Sequence, residues 1–251
     1  MIENKPKVTL ITGADKGIGF ETAMALAKAG QQVWLGSRSQ NRAKQAVDKI
    51  RQAGYHAEGL VLDVTKQSEI DRAEQLISEK IGYLDILINN AGIALDNHEE
   101  AATLPIDVMQ KEFDVNFFGT VRMIQAFIPL LTNAKSAKII NISSNMGSLG
   151  LASDKNSRFY QVSSLGYQAS KAAVNVATIT FAKELEDTGI TVNSVDPGWT
   201  ATSFGGRDLN QPVPQGMQSV DEGAAQIIKL ATDADNQLNG AFTENVGYLP
   251  W

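Results

Sequence analysis

Val8-Thr9-Leu10-Ile11-Thr12-Gly13-Ala14-Asp15-Lys16-Gly17-Ile18-Gly19 is the stretch that decides the fold. A short, β-branched apolar run ends at a glycine. Residues 21–30, ETAMALAKAG, then space apolar side chains at helical intervals and stop at Gly30. Glycines between a strand and a helix let the backbone bend tightly and approach a phosphate. The helix N-terminus adds unpaired N–H groups and the positive end of its dipole. The spacing is G-x-x-x-G-x-G, and such turns also use glycine for geometry alone. Its place after the first strand of an α/β pattern assigns Gly13, Asp15, Lys16, Gly17, Ile18 and Gly19 to a nucleotide site.

Working outward, strand-like runs alternate with helical patterns along the chain. Strands are expected at 8–12, 33–35, 59–64, 84–89, 137–143, 190–195 and 240–246. Helices are expected at 21–30, 40–53, 67–81, 107–131, 167–187 and 221–231. The strand runs are continuously apolar, so both of their faces are buried by helices. That pattern predicts an α/β fold, one domain over residues 1–251, with a doubly wound parallel sheet of about seven strands and helices on both faces. Two stretches break the rhythm, 145–166 and 198–219, both with several glycines, and read as functional loops.

Composition narrows the function. The 251 residues carry a net charge of -6 and no basic run, which sets nucleic-acid binding aside. The absence of cysteine excludes a disulfide scaffold, a thiolate-bound metal and a cysteine nucleophile, and no metal site is read. The apolar run at 8–11 is too short for a signal peptide core or a membrane span, so a soluble cytoplasmic protein without a membrane partner is expected.

The identity of the nucleotide is read at the end of the second strand. An acid there would bond the ribose 2'-hydroxyl of NAD, but this chain has Ser37-Arg38. A guanidinium at Arg38 suits a 2'-phosphate, and Lys16 offers a second positive charge, so NADP(H) is favoured over NAD(H). The competing reading makes both of them solvated surface cations. Asp63-Val64 follows the third strand; Asp63 either accepts from an adenine amino group or caps a turn. Asn90-Ala91-Gly92 either lets the nucleotide pack closely or forms a plain turn.

Tyr167 and Lys171 stand at i, i+4 on one helical face. A phenol is a poor acid/base near neutral pH, and a neighbouring ammonium lowers its pKa. The alternative is a packed ring beside a solvated amine. Ser143-Ser144 closes the fifth strand, where a hydroxyl either holds a substrate oxygen or caps a turn. Asn116 is a mediocre helix-interior residue. Either it is a plain surface residue, or it holds a water near Lys171 through a buried side chain or bent backbone.

Along the chain come TGADKGIG, DV, NNAG, the Asn of VNFFG, NISS, YQASK and DPG. This ordered set resembles the short-chain dehydrogenase/reductase family, and its single-domain Rossmann members above all. The stretches DKGIG, VNFFGT and INISSNMG are most similar to the NADPH carbonyl reductases. The resemblance implies that Tyr167 is the acid/base, that Lys171 lowers its pKa and binds the nicotinamide ribose, and that Ser144, rather than Ser143, orients the carbonyl. Asn116 would hold the water of a proton relay. Pro197-Gly198 would turn beneath the nicotinamide, with Thr200 and Thr202 among the coenzyme contacts and Thr202 against the carboxamide. Transfer of the pro-S hydride is implied as well.

The expected reaction is reversible hydride transfer between NADPH and a small ketone or aldehyde. Met146, Leu149, Phe159, Trp199 and Phe204 are either apolar walls of a substrate pocket or ordinary core. An NAD-linked alcohol dehydrogenase of the same family is the near alternative. A non-catalytic NADPH-sensing module is the distant one, against which the intact tetrad stands. The 145–166 segment is longer than in typical members and leaves monomer or homo-oligomer undecided. It includes a second tyrosine, Tyr160, which has Ser164 rather than lysine four residues on.

Overall fold

The computed structural model describes residues 5–235 and 238–251. The glycine-ended run forms β1 (Val8–Ile11), and helix α1 (Gly17–Lys28) begins within the glycine turn. The chain continues through β2 (Gln32–Ser37), α2 (Gln40–Gln52), β3 (Ala57–Val61), α3 (Gln67–Lys80) and β4 (Ile86–Asn89). Then follow α4 (Ile106–Phe113), α5 (Gly119–Thr132), β5 (Ala137–Ile142), a short α6 (Leu149–Ser153) and α7 (Leu165–Glu184). β6 (Ile190–Val195), α8 (Val220–Thr232), β7 (Phe242–Glu244) and β8 (Gly247–Tyr248) close the chain.

The strands form one sheet in the order β3-β2-β1-β4-β5-β6-β7-β8. Strands β1 to β7 pair in parallel and β8 is antiparallel to β7. The order reverses between β1 and β4, so the loops after these two strands diverge and leave a crevice at the C-terminal edge. Side chains alternate across the sheet. Leu10, Leu87, Ile139 and Val192 pack on one face with α3 and α5. Ile11, Ile88, Ile140 and Val195 pack on the other with α1, α2 and α8. Burial on both faces is why the strand runs are continuously apolar.

The seven expected strands are β1 to β7, and the chain folds back after β7 to add the two-residue β8. Two expectations are revised. The third strand ends at Val61, so Asp63 and Val64 lie in the turn beyond it. The helix expected over 107–131 is interrupted by a π-helical turn, Asp114–Phe118, between α4 and α5. Such turns bulge one residue out of register and recur at functional sites. Here the turn carries the buried Asn116. The continuous helical run 106–132 is long and apolar enough to cross a membrane by composition. Its apolar side is nevertheless core, since Met123, Ile124 and Phe127 are completely buried against the sheet.

Candidate active site

The glycine turn is braced from β4. Asn90 Nδ2 donates to the carbonyls of Thr12 (2.9 Å) and Gly13 (3.0 Å). Thr12 Oγ1 accepts from the N–H groups of Asn90 (3.0 Å) and Ala91 (2.9 Å). Gly13 and Gly17 adopt positive φ of +62° and +57°, a conformation that favours glycine. A side chain at Gly19 would run into Asn90 and the Gly13 carbonyl. Asn90 therefore shapes the turn rather than only closing a strand. The first turn of α1 has no side-chain cap: Lys16 occupies the N-cap with extended backbone.

Three cations lie near the turn, Lys16, Arg38 and Arg42. Arg38 is exposed at the end of β2, but Lys16 donates to Ser203 Oγ at 2.8 Å. Ser203 belongs to the 198–219 loop, so Lys16 ties that loop to the glycine turn. Arg42, in the first turn of α2, instead pairs with Asp15 at 3.1 Å. Arg42 was missed by sequence reasoning; its only signal was a cation four residues after Arg38. Buried Ser37 accepts from the Ser39 N–H.

Asp63 takes the turn geometry: Oδ1 accepts from Thr65 N (3.0 Å) and Thr65 Oγ1 (2.7 Å). Burial works to raise its pKa, but the Thr65 bonds and the charges of Arg38 and Lys66 hold it below the usual carboxylate value. Val64 is buried beneath Gly119, where any side chain would collide with it.

The four catalytic candidates converge at the C-terminal edge of β4, β5 and β6. Ser144 follows β5, and its side chain lies near enough to the Tyr167 hydroxyl to lower the phenol's pKa. Ser144 Oγ also accepts from Met146 N at 3.2 Å. Ser143 is turned away, donating to the Lys171 carbonyl. Lys171 is buried; its ammonium donates to the Ile142 carbonyl at 2.7 Å and lies 5.7 Å from the centre of the Tyr167 ring. Asn116 Oδ1 accepts from Ile93 N (2.8 Å), and its Nδ2 donates to the Ile93 carbonyl and to Ser170 Oγ (both 2.9 Å). A side chain at Gly92 would stand 3.4 Å from Asn116 Oδ1 and 3.5 Å from Lys171 Nζ. Asn116 Oδ1 and Lys171 Nζ thus both come close to Gly92. Tyr160 lies exposed in the turns before α7.

One expectation of the electrostatics is corrected. Tyr167 keeps partial solvent access, yet the protein packed around its hydroxyl pushes the phenol above its usual pKa. The Ser144 side chain draws it down, while the carboxyls of Asp196, Glu112 and Asp96 push it further up. Burial pulls Lys171 down to about 8, opposed by Asp196, so this amine holds its charge weakly. Asp196 is itself raised to about 6 by burial, against the N–H groups of Gly198 and Asn145.

A polar ladder that sequence reasoning did not foresee anchors α7. Asn89 Nδ2 donates to Asn141 Oδ1 (2.9 Å), Asn141 Nδ2 donates to Thr178 Oγ1 (2.9 Å), and the hydroxyls of Thr178 and Ser194 share a bond of 2.8 Å. It runs from β4 through β5 and α7 to β6. Thr178 is two helical turns beyond Lys171, on the same face.

The loop after β6 covers the crevice. Gly198 has a φ of +71°, and Gln218 Nε2 donates to the Pro197 carbonyl. Thr200 turns its hydroxyl to the Pro197 and Gly198 carbonyls and packs against Gly223, so it braces the turn. Thr202 lies against Gly17, where a Cβ would be 3.3 Å from its methyl. The Phe204 ring meets the Tyr167 ring edge-on, with centroids 5.7 Å apart. Leu149, Trp199 and Phe204 are exposed, which excludes the core reading for these three; Met146 and Phe159 are half-buried.

A crevice at the switch point of a parallel sheet, floored by a glycine turn and flanked by Ser144, Tyr167 and Lys171, defines a dinucleotide-dependent oxidoreductase. The family model for short chain dehydrogenase matches residues 7–212, and the chain belongs to that family. It is 35% identical to the short-chain dehydrogenase anuI of Penicillium roqueforti, over 91% of this chain and 89% of that protein. It is 31% identical to (+)-neomenthol dehydrogenase of Arabidopsis thaliana, over 92% of this chain and 93% of that protein. Among solved structures, the NADPH-bound carbonyl reductase from chicken fatty liver superposes with a TM-score of 0.84 at 27% identity, covering 98% of this chain and 99% of that one.

Proposed function

We propose that this chain reduces an apolar ketone or aldehyde to its alcohol with NADPH. The observation that carries the reading is buried Lys171 one turn beyond Tyr167, its ammonium 5.7 Å from the centre of the phenol ring, with the Ser144 side chain beside the phenol. The residues present fit a dinucleotide: the uncapped start of α1 offers N–H groups for a pyrophosphate beside Gly13 and Gly17. Exposed Arg38, with no acid at the end of β2, suits a 2'-phosphate. The NADPH of the chicken carbonyl reductase supports the same choice.

The bound coenzyme supplies the hydride. Ser144 and Tyr167 both hydrogen-bond the substrate oxygen and polarise the carbonyl. Tyr167 gives up its hydroxyl proton as the alkoxide develops. A phenol held above its usual pKa keeps that proton until the oxygen becomes basic. Lys171, with a pKa near 8, exchanges protons at Nζ, which comes close to Gly92 as Asn116 does, and restores the phenol. Phe204 sets an apolar ring against Tyr167, and Trp199 and Leu149 are exposed apolar residues on the two loops; these favour an apolar or aromatic substrate.

The test is a panel of ketones and aldehydes followed by NADPH absorbance, with NADH in parallel. Turnover with NADPH on apolar members supports the reading. Equal or better turnover with NADH would replace it with the NAD-linked alternative.

A further inference from the structure

The helix that carries Tyr167 begins in an unusual way. Ser164 occupies the N-cap of α7, yet its hydroxyl caps no N–H of that helix. It donates instead to Asp96, at 2.6 Å to Oδ1 and 2.7 Å to Oδ2. Asp96 Oδ2 accepts in turn from the N–H of Tyr167 itself at 3.2 Å. The cap therefore comes from a loop 71 residues upstream, and a carboxylate is favoured at a helix N-terminus. Asp96 is held in place by Glu112 of α4. Glu112 Oε1 accepts from Leu95 N (2.6 Å) and Asp96 N (3.2 Å). Glu112 is completely buried, and its Oε2 has no hydrogen-bond partner among the described residues. That oxygen lies against Gly166, where any side chain would collide with it.

We propose that Asp96 and Glu112 are positioning residues for Tyr167: Glu112 orders the loop that delivers Asp96, and Asp96 fixes the first turn of the helix bearing the phenol. The inference rests on the reading of Tyr167 as proton donor. A buried carboxyl with one idle oxygen costs stability, so its placement under the catalytic helix needs a compensating use. Charge supplies one. The charges of Asp196 from the end of β6, Glu112 from α4 and Asp96 from the β4 loop all act to raise the phenol, the Ser144 side chain from β5 acts to lower it, and Lys171 of α7 lies 5.7 Å from the ring centre. The carboxyls hold the proton on the phenol, as carbonyl reduction requires. Glu112 is itself raised, first by burial and then by the charge of Asp96, although the Leu95 and Asp96 N–H groups oppose this.

The experiment compares wild type with Glu112→Gln, Asp96→Asn and the charge-neutral Ser164→Ala, measuring kcat, KM and the pH dependence of NADPH oxidation. Glu112→Gln and Asp96→Asn are expected to lower kcat by roughly tenfold to a hundredfold and to move the alkaline limb of the profile to lower pH. Ser164→Ala should lower kcat without moving that limb. An unmoved limb with wild-type kcat in Glu112→Gln, the closest isostere, overturns the proposal. Amide exchange at the first turn of α7 supplies a readout independent of turnover. Faster exchange at Tyr167 in Asp96→Asn supports the tether, and unchanged exchange removes it. A wild type without Tyr167-dependent turnover would defeat the functional reading instead, and exchange would still judge the tether.

Discussion

Lys171 lies one turn beyond Tyr167 on α7, with its ammonium 5.7 Å from the centre of the phenol ring and bonded to the Ile142 carbonyl at 2.7 Å. The pair is local on the helix, yet its electrostatics are set by distant chain segments. Burial lowers the amine and raises the phenol, which brings the two proton affinities apart in opposite senses.

Lys171 is the first point of test. Its folded pKa, about 8, lies below the ordinary 10.5. Between these values the unfolded chain binds more protons, so the folded state gains stability as pH rises through the window. Below about 8 the cost of the buried charge is present in full. Replacing Lys171→Met removes that cost but orphans the Ile142 carbonyl, a loss of about 1–3 kcal/mol. The expected outcome is a small change in Tm near neutral pH with turnover largely lost. The gain in Tm of wild type over the variant between pH 8 and 10.5, read by calorimetry, checks the sign.

Arg38 decides the coenzyme. It is exposed at the end of β2, and its charge acts on Asp63 across the turn. Arg38→Asp should weaken NADPH binding by roughly tenfold to a hundredfold, the worth of a charge-assisted hydrogen bond. NADH binding should be unchanged or stronger. Titration calorimetry with both coenzymes measures the ratio, and an equal loss for both would remove Arg38 from specificity.

Gly19 tests the brace of the turn. A methyl group there meets Asn90 and the Gly13 carbonyl, so Gly19→Ala must break the Asn90 bonds to Thr12 and Gly13. The variant should fold with a lower Tm and bind NADPH weakly, as read by coenzyme fluorescence. Wild-type affinity would show that the turn tolerates the shift.

Thr178 tests the ladder beneath the site. Thr178→Val keeps the shape but leaves Asn141 Nδ2 and Ser194 without their shared partner. An orphaned buried polar group costs about 1–3 kcal/mol, a fall of several degrees in Tm for a chain of this size. An unchanged melting curve would mean that the ladder contributes nothing net.

What was legible in the sequence was local. The continuous apolar runs gave away a sheet buried on both faces, and the glycine turn and the Tyr167–Lys171 spacing are each contained within a few residues. What was not legible depends on contacts between distant segments. Asp96 and Glu112 reach the start of α7 from the β4 loop and α4, and no periodicity marks them. Lys16 reaches Ser203, 187 residues away, because the 198–219 loop folds back over the turn. The π turn at Asn116 broke a helix whose apolar spacing looked continuous. The lowering of the Tyr167 pKa was expected from its neighbour alone, and burial among three carboxyls reversed its direction.

The central claim is tested most directly by the coenzyme turnover of Tyr167→Phe, which removes one oxygen and leaves the ring beside Phe204. NADPH binding should persist, while NADPH oxidation with a reducible ketone falls by roughly 10²–10⁴-fold. Oxidation at the wild-type rate in a folded, NADPH-binding variant would contradict the account.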